Sequence, residues 1–156
     1  MAAPFDWIFT LSAVAFNLLI AGVFLATRAG KMGTVRRIGV WLIALVIPFG
    51  IVLYHTITAG GNLYVRVALA VVLAYLLTEL LLDFILNYDF RAKWVTHVPY
   101  ILVEYAAFYA LIYVGFTVSE FTGWAVSVTF WMALAALIYY LAGRKKSGKK
   151  NKRKKG

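Results

Sequence analysis

The stretch 63–86, LYVRVALAVVLAYLLTELLLDFIL, places two carboxylates, Glu79 and Asp83, inside a long run of apolar residues. At 1.5 Å per residue, an α-helix of about 20 residues crosses a hydrocarbon core about 30 Å thick. A charge at the centre of a bilayer costs about 2.5–3.5 kcal/mol on insertion scales, so such residues mark candidate functional sites. The stretch therefore predicts both a membrane-spanning helix and a polar site within it.

The rest of the chain is equally apolar. Hydrophobic residues make up 63% of its 156 positions, against about 45–50% in an average soluble domain, and the mean hydropathy is +0.83. Cutting the chain at its charges and glycines leaves five apolar stretches, each long enough to span a bilayer. We therefore expect an all-α, polytopic integral membrane protein with a transmembrane domain over residues 1–143. The five predicted spans are residues 5–27, 38–57, 63–86, 98–118 and 121–142.

The connections between these spans are short. Helices joined by short loops pack as antiparallel neighbours, so span three should lie beside span four, and span one beside span two. Pro48 is expected to kink span two, because it lacks an N–H and its ring crowds a carbonyl one turn earlier. Residues 119–123 predict a tight hairpin between the last two spans. With only five crossings, a transport pathway would need a homo-oligomer or a larger membrane complex.

The basic residues predict the orientation of the chain. Outside the predicted spans, Lys and Arg occur at 28–37, at 91–93 and after residue 143, whereas residues 1–6, 58–62 and 119–123 contain none. Because cytoplasmic loops are enriched in Lys and Arg, the N-terminus is expected outside and the C-terminus in the cytoplasm. The predicted location is the cell membrane, with several crossings.

A polar seam is predicted between spans three and four. Given this topology, Glu79 and Glu104 lie at similar depths in two antiparallel helices. Polar residues recur every four positions along span three and therefore form one stripe on that helix. The polar residues of span four lie on nearly one face of their own helix and form a second stripe. Facing lipid, the carboxylates would lack partners, which favours burial between helices. The predicted site consists of Glu79, Asp83 and Glu104, with Tyr75, Asn87, His97 and Tyr100 as accessory groups.

The residue types of this seam limit its chemistry. Crowded carboxylates cannot all stay ionised in a low dielectric, which suits the relay of protons or the exchange of a proton for a cation. Carboxylate oxygens also bind hard divalent cations, and His97 would extend the range to iron or zinc. A divalent cation held by Glu79, Asp83, Glu104 and His97 is therefore one hypothesis, although their spacing matches no known metal signature. The chain contains no cysteine.

Three functions remain open at the level of sequence. The first is a transporter or channel for protons or hard cations. The second is a non-catalytic membrane subunit or scaffold whose buried carboxylates fix helix packing or a partner interface. The third is a metal-dependent intramembrane enzyme acting on lipid. No serine-nucleophile turn and no glycine-rich phosphate loop is found, so an enzyme is the less favoured class.

Polar residues outside the seam have two interpretations each. His55 and Arg66 lie near the predicted outer face, where they could form a surface ion pair with Asp6 or Glu120 or line an outer vestibule. Asn17, in the middle of span one, predicts a hydrogen bond between helices, or a polar connection from the vestibule to the seam.

Residues 144–156 form a polybasic segment that we expect to be disordered and cytoplasmic. Such a segment next to a membrane helix attracts anionic lipids, at about 1 kcal/mol per basic residue. Nucleic acid is the less favoured partner, because no aromatic side chain interleaves the basic ones. The predicted lipid-binding residues are Arg144, Lys145, Lys146, Lys149, Lys150, Lys152, Arg153, Lys154 and Lys155.

Overall fold

Six α-helices, without any strand, make up the part of the chain that the computed structural model describes, residues 3–81 and 94–153. Side chains are described for residues 4–81 and 102–143. The predicted all-α class is confirmed for these residues. The helices are α1 (Ala3–Arg28), α2 (Met32–Ala44), α3 (Val46–Thr58), α4 (Leu63–Glu79), α5 (Trp94–Val118) and α6 (Glu120–Arg153).

A local break at Leu45 separates α2 from α3. The Leu45 N–H bonds to the Leu42 carbonyl at 3.2 Å, a tighter turn than the α-helical one. Pro48 lies three residues later; it cannot donate to the Ala44 carbonyl and its ring crowds that oxygen. The helix is therefore interrupted where Pro48 was predicted to disturb it, and α2 and α3 together form one rod of 27 residues with a break at Leu45.

Glycine ends two of the helices in the same way. Gly30 and Gly60 have φ angles of 71° and 68°, a left-handed conformation that is costly for other residues. The N–H of Lys31 bonds to the Ala26 carbonyl at 3.0 Å, and the equivalent bond follows Gly60. Both turns are Schellman motifs, which stop a helix sharply and reverse the chain.

The hairpin between α5 and α6 is confirmed and is very tight, since Ser119 alone separates the two helices. The Ser119 hydroxyl accepts the Thr122 N–H at 3.1 Å and caps the start of α6. A Cβ atom on Gly115 would lie 3.1 Å from Gly123 Cα. The two backbones therefore meet at a pair of glycines just inside the turn.

Consecutive helices pack against one another, as predicted for α1 with α2 and for α4 with α5. The most extensive packing, however, joins α1 to α6, and this pairing was not predicted. The hydroxyl oxygens of Thr10 and Thr122 lie 3.0 Å apart, and Arg28 donates a hydrogen bond to the Tyr139 carbonyl. In both pairs the two residues are about 111 positions apart in the sequence. Because this separation stays the same along both helices, α1 and α6 run parallel.

An aromatic cluster fills the centre of the bundle. The buried ring of Phe16 on α1 packs edge-on against Phe49 of α3, Tyr75 of α4 and Phe108 of α5. Its ring centroid is 5.6 Å from those of both Tyr75 and Phe108, within the range of favourable aromatic pairs. The Phe16 side chain thus brings four helices into contact, its own helix and three others.

The outside of the bundle is apolar as well. Large hydrophobic side chains lie exposed along every described helix, which is unusual for a soluble protein. Three helical segments are long and apolar enough to cross a membrane, namely Pro4–Arg28, Met32–Thr58 and Glu120–Gly143. The apolar part of α5, Leu102–Val118, is shorter, and α4 covers 17 residues up to Glu79. The fold is compatible with a membrane protein, while five crossings and their orientation stay predictions.

Two predicted boundaries differ from the structure. The second rod begins at Met32, six residues before the predicted span, and α6 continues to Arg153, where disorder was predicted from residue 144. The first extension carries Arg36 and Arg37 and the second carries both Lys and Arg, which are good helix formers, and neither extension contains proline. The prediction was based on hydropathy, which finds the apolar part of a helix and not its charged ends.

Candidate intramembrane acidic site

Glu79 is the one carboxylate among the buried polar residues of the described chain. It ends α4 and is 7% exposed. The hydroxyl of Tyr75, one turn earlier and fully buried, donates to Glu79 Oε1 at 3.0 Å. The spacing of four residues that predicted a polar stripe therefore holds for this pair. The burial of an acidic group in the bundle is the main feature of the site.

The backbone changes its winding directly after Glu79. Leu80 and Leu81 are π-helical, whereas α4 is α-helical up to Glu79. Short π-helical turns inside helices are rare and often occur at functional sites. Glu79 thus lies at the junction of two helical geometries, which is a second indication that this position is special.

Glu104 of α5 lies at the level of Glu79 to within about one turn. Tyr75 and Phe108 both contact the ring of Phe16, so these two residues share a level. Glu79 follows Tyr75 by four residues and Glu104 precedes Phe108 by four, about 6 Å along each axis. Because α4 and α5 are antiparallel neighbours, the step from Tyr75 to Glu79 and the step from Phe108 to Glu104 run in the same direction along the bundle. The side chain of Glu104 is half-buried.

The remaining predicted members of the site are not tested. Asp83 and Asn87 lie outside the described residues, and so do the side chains of His97 and Tyr100, although both belong to α5. Within the described ranges, no group of three His, Cys, Asp or Glu side chains could hold a metal ion. The divalent-cation hypothesis, which needs Asp83 and His97, therefore stays a prediction.

Asn17 joins two helices, as one of its two interpretations predicted. Its Nδ2 donates at 2.9 Å to both the Val126 carbonyl and Thr129 Oγ1 of α6, and the residue is fully buried. Because it faces α6, it does not connect the outer polar residues to Glu79. The threonines of this interface were missed, although Thr10 and Asn17 on α1 repeat at the same seven-residue spacing as Thr122 and Thr129 on α6.

Near the turn at Gly60 that joins α3 to α4, His55 and Arg66 are both half-buried. His55 lies in the last turn of α3 and Arg66 in the first turn of α4. The His55 ring stacks on Phe5 of α1, with 3.7 Å between centroids and 17° between planes. The stack accounts for the position of His55, and an outer vestibule stays a prediction.

The polybasic segment lies mostly in α6. Its residues 144–153 are helical with side chains outside the description, and Lys154 and Lys155 are also outside it. Lipid binding by these residues is untested.

Comparisons of the chain with protein families, with curated proteins and with solved structures give no match.

Proposed function

We propose that this protein crosses the cell membrane five times, with its N-terminus outside, and that its Glu79 site binds and moves protons or hard cations. The observation that supports this is a carboxylate at 7% exposure inside an apolar bundle, with a fully buried hydroxyl donor. Ionisable residues at such positions are costly and are usually kept for ion or proton pathways. Glu104, at the same level, is the second acidic member.

Uncharged side chains already join helices in this bundle, since Thr10 and Asn17 of α1 both contact α6 through hydrogen bonds. Such neutral groups provide interhelical contacts at a lower desolvation cost than a carboxylate. This favours a role for Glu79 beyond helix packing.

Flux through purified protein in liposomes tests the proposal. We expect the wild type to dissipate an imposed proton or cation gradient and Glu79→Gln to reduce the flux at least tenfold. Glu120→Gln is the matched control, because Glu120 is exposed at the start of α6 and should leave flux unchanged. The absence of flux of any ion through the wild type would refute the proposal.

A second candidate is a membrane subunit that binds a second copy or a partner protein. Tyr109 of α5 and Trp131 of α6 are 65% and 64% exposed, at about 14 and 17 Å from the ends of their helices at the α5–α6 turn. At that depth in a membrane, their O–H and N–H groups would face hydrocarbon unless a partner helix covered them. This candidate predicts that Glu79→Gln lowers the melting temperature or alters assembly without any loss of flux.

The polybasic end of α6 is proposed to bind anionic lipids of the cytoplasmic leaflet. Its basic residues directly follow the apolar part of α6, which ends at Gly143. Attraction to anionic headgroups is expected at that position. Such binding would also help to keep this end of the chain inside.

A further inference from the structure

We infer that Arg66, together with His55, binds a phosphate group at the end of the bundle where α3 turns into α4. This site lies about 20 Å along α4 from Glu79. It is independent of any ion movement at Glu79, so the two can succeed or fail separately.

The turn between α3 and α4 holds His55 and Arg66 at one level. His55 lies in the last turn of α3 and Arg66 in the first turn of α4. The two helices pack against each other, and packed helices have axes about 8–10 Å apart, so both side chains can reach one group between them. A Cβ atom on Gly61 would lie 2.7 Å from Thr56 Cγ2, which shows how closely the turn is folded onto α3.

Both side chains carry a buried nitrogen atom without a hydrogen-bond partner. These atoms are Arg66 Nε and His55 Nδ1, and neither side chain forms an ion pair or a hydrogen bond among the described residues. The His55 ring is held in place by its stack on Phe5. Buried polar groups nearly always have a partner, and arginine stays charged at every physiological pH. The acceptor for Arg66 is therefore expected to come from outside the chain.

An external group has access to this site, because His55 and Arg66 are both half-buried and so reach the surface. Arg66 lies about 4.5 Å inside the start of α4, a depth from which a long basic side chain reaches the headgroups of a membrane. The abundant anion at that depth is the phosphate of the lipids. Among the described residues, Arg66 is also the one Lys or Arg at this end of the bundle.

The residue types fit a phosphate group in particular. A guanidinium group presents its N–H groups as a planar fork that binds two phosphate oxygens at once. An imidazole N–H of His55 can donate to a third oxygen. A phospholipid headgroup and free inorganic phosphate offer the same oxygens, so the test must distinguish these two sources.

Thermal unfolding of the full chain in detergent measures this binding. The added ligands are short-chain phosphatidylglycerol, diacylglycerol with the same chains, and inorganic phosphate. Arg66→Gln removes the charge, and Arg66→Lys keeps the charge without the planar fork. Arg36→Gln is the matched control, because Arg36 is exposed on α2 near the opposite end of the bundle.

We expect phosphatidylglycerol, but not diacylglycerol, to raise the melting temperature, because a ligand that binds only the folded state stabilises it. In Arg66→Gln the lipid concentration for half of this rise should increase about tenfold, as expected for the loss of a hydrogen bond to a charged group. Arg66→Lys and His55→Gln should show smaller increases, and Arg36→Gln should match the wild type. A rise with inorganic phosphate, also lost in Arg66→Gln, would identify free phosphate as the source, and no rise with it would assign the lipid headgroup.

Native mass spectrometry counts bound lipid without reference to stability. The wild type and Arg36→Gln should retain one phosphatidylglycerol molecule more than Arg66→Gln. If Arg66→Gln does not fold, Arg66→Lys and His55→Gln carry the same comparison. Equal binding by the wild type and the Arg66 variants would overturn the inference, as would an equal rise in melting temperature with diacylglycerol.

Discussion

At the scale of single residues, Asn17 shows how one amide can join two long apolar helices. It is fully buried, and its two N–H groups reach a carbonyl and a hydroxyl of α6. In a membrane, such hydrogen bonds contribute about 0.6 kcal/mol on average and up to about 1.7 kcal/mol. A side chain with two of them should lie toward the upper end of that range.

We therefore expect Asn17→Leu to destabilise the protein by about 1 to 1.7 kcal/mol, because it removes both hydrogen bonds and keeps a similar volume. The melting temperature in detergent measures this loss. Ser127→Ala is the control, since the Ser127 hydroxyl bonds to the Gly123 carbonyl within its own helix. Equal melting temperatures for the two variants would contradict the assigned role of Asn17.

Sequence alone could predict part of the candidate site. The burial of Glu79 follows from the cost of exposing a carboxylate to lipid, and the position of Tyr75 follows from helical periodicity. The aromatic cluster around Phe16 could not be predicted, because every helix offers several apolar faces and hydropathy does not rank them. The same ambiguity hid the threonines of α6 that face α1.

At the scale of helices, alanine substitutions at two helical glycines, Gly50 and Gly115, are expected to change the stability of the protein in opposite directions. A Cβ at Gly115 would lie 3.1 Å from Gly123 Cα, whereas a Cβ at Gly50 of α3 would meet nothing within 4 Å. Alanine in a helix interior is favoured over glycine by about 1 kcal/mol at both positions. The difference between the two substitutions therefore measures the contact between α5 and α6.

We expect Gly50→Ala to raise the melting temperature and Gly115→Ala to lower it, because the second substitution forces two closely packed backbones apart. Thermal unfolding of both variants in the same detergent gives the comparison. A rise in both would mean that α5 and α6 separate without cost.

The presence of helices was easier to predict than their ends. Local chemistry at Pro48 and Ser119 predicted a disturbance of the helix and a turn, and the structure has a helix break at Leu45 and a turn at Ser119. The start of α2 and the end of α6 lie in basic segments, where helix propensity and hydropathy disagree. The predicted span over residues 63–86 is described only in part, because α4 covers 17 residues up to Glu79.

At the scale of the whole molecule, the parallel packing of α1 and α6 closes the bundle. Short loops predict contacts only between consecutive helices, so loop lengths did not predict a pairing of helices about 90 residues apart. The repeated pairs Thr10 with Thr122 and Asn17 with Thr129 set their register. Regularly spaced polar pairs fix register in coiled coils in a similar way.

This register predicts a specific cross-link. The chain has no cysteine of its own, so Thr10→Cys with Thr122→Cys should form a disulfide on mild oxidation, because their hydroxyls lie 3.0 Å apart. Thr10→Cys with Thr129→Cys is the control, displaced by two helical turns, or about 10 Å. Gel mobility with and without reductant reports the bond. An antiparallel or shifted pairing would leave the first pair unlinked.

The same pairing has a consequence for how the protein is made. During synthesis, α1 leaves the ribosome long before α6, and until then the Asn17 amide lacks the acceptors that it uses in the finished bundle. A buried amide without its hydrogen-bond acceptors is costly in an apolar environment. The first helix is therefore expected to reach its full stability only after the last one has been made and has packed against it.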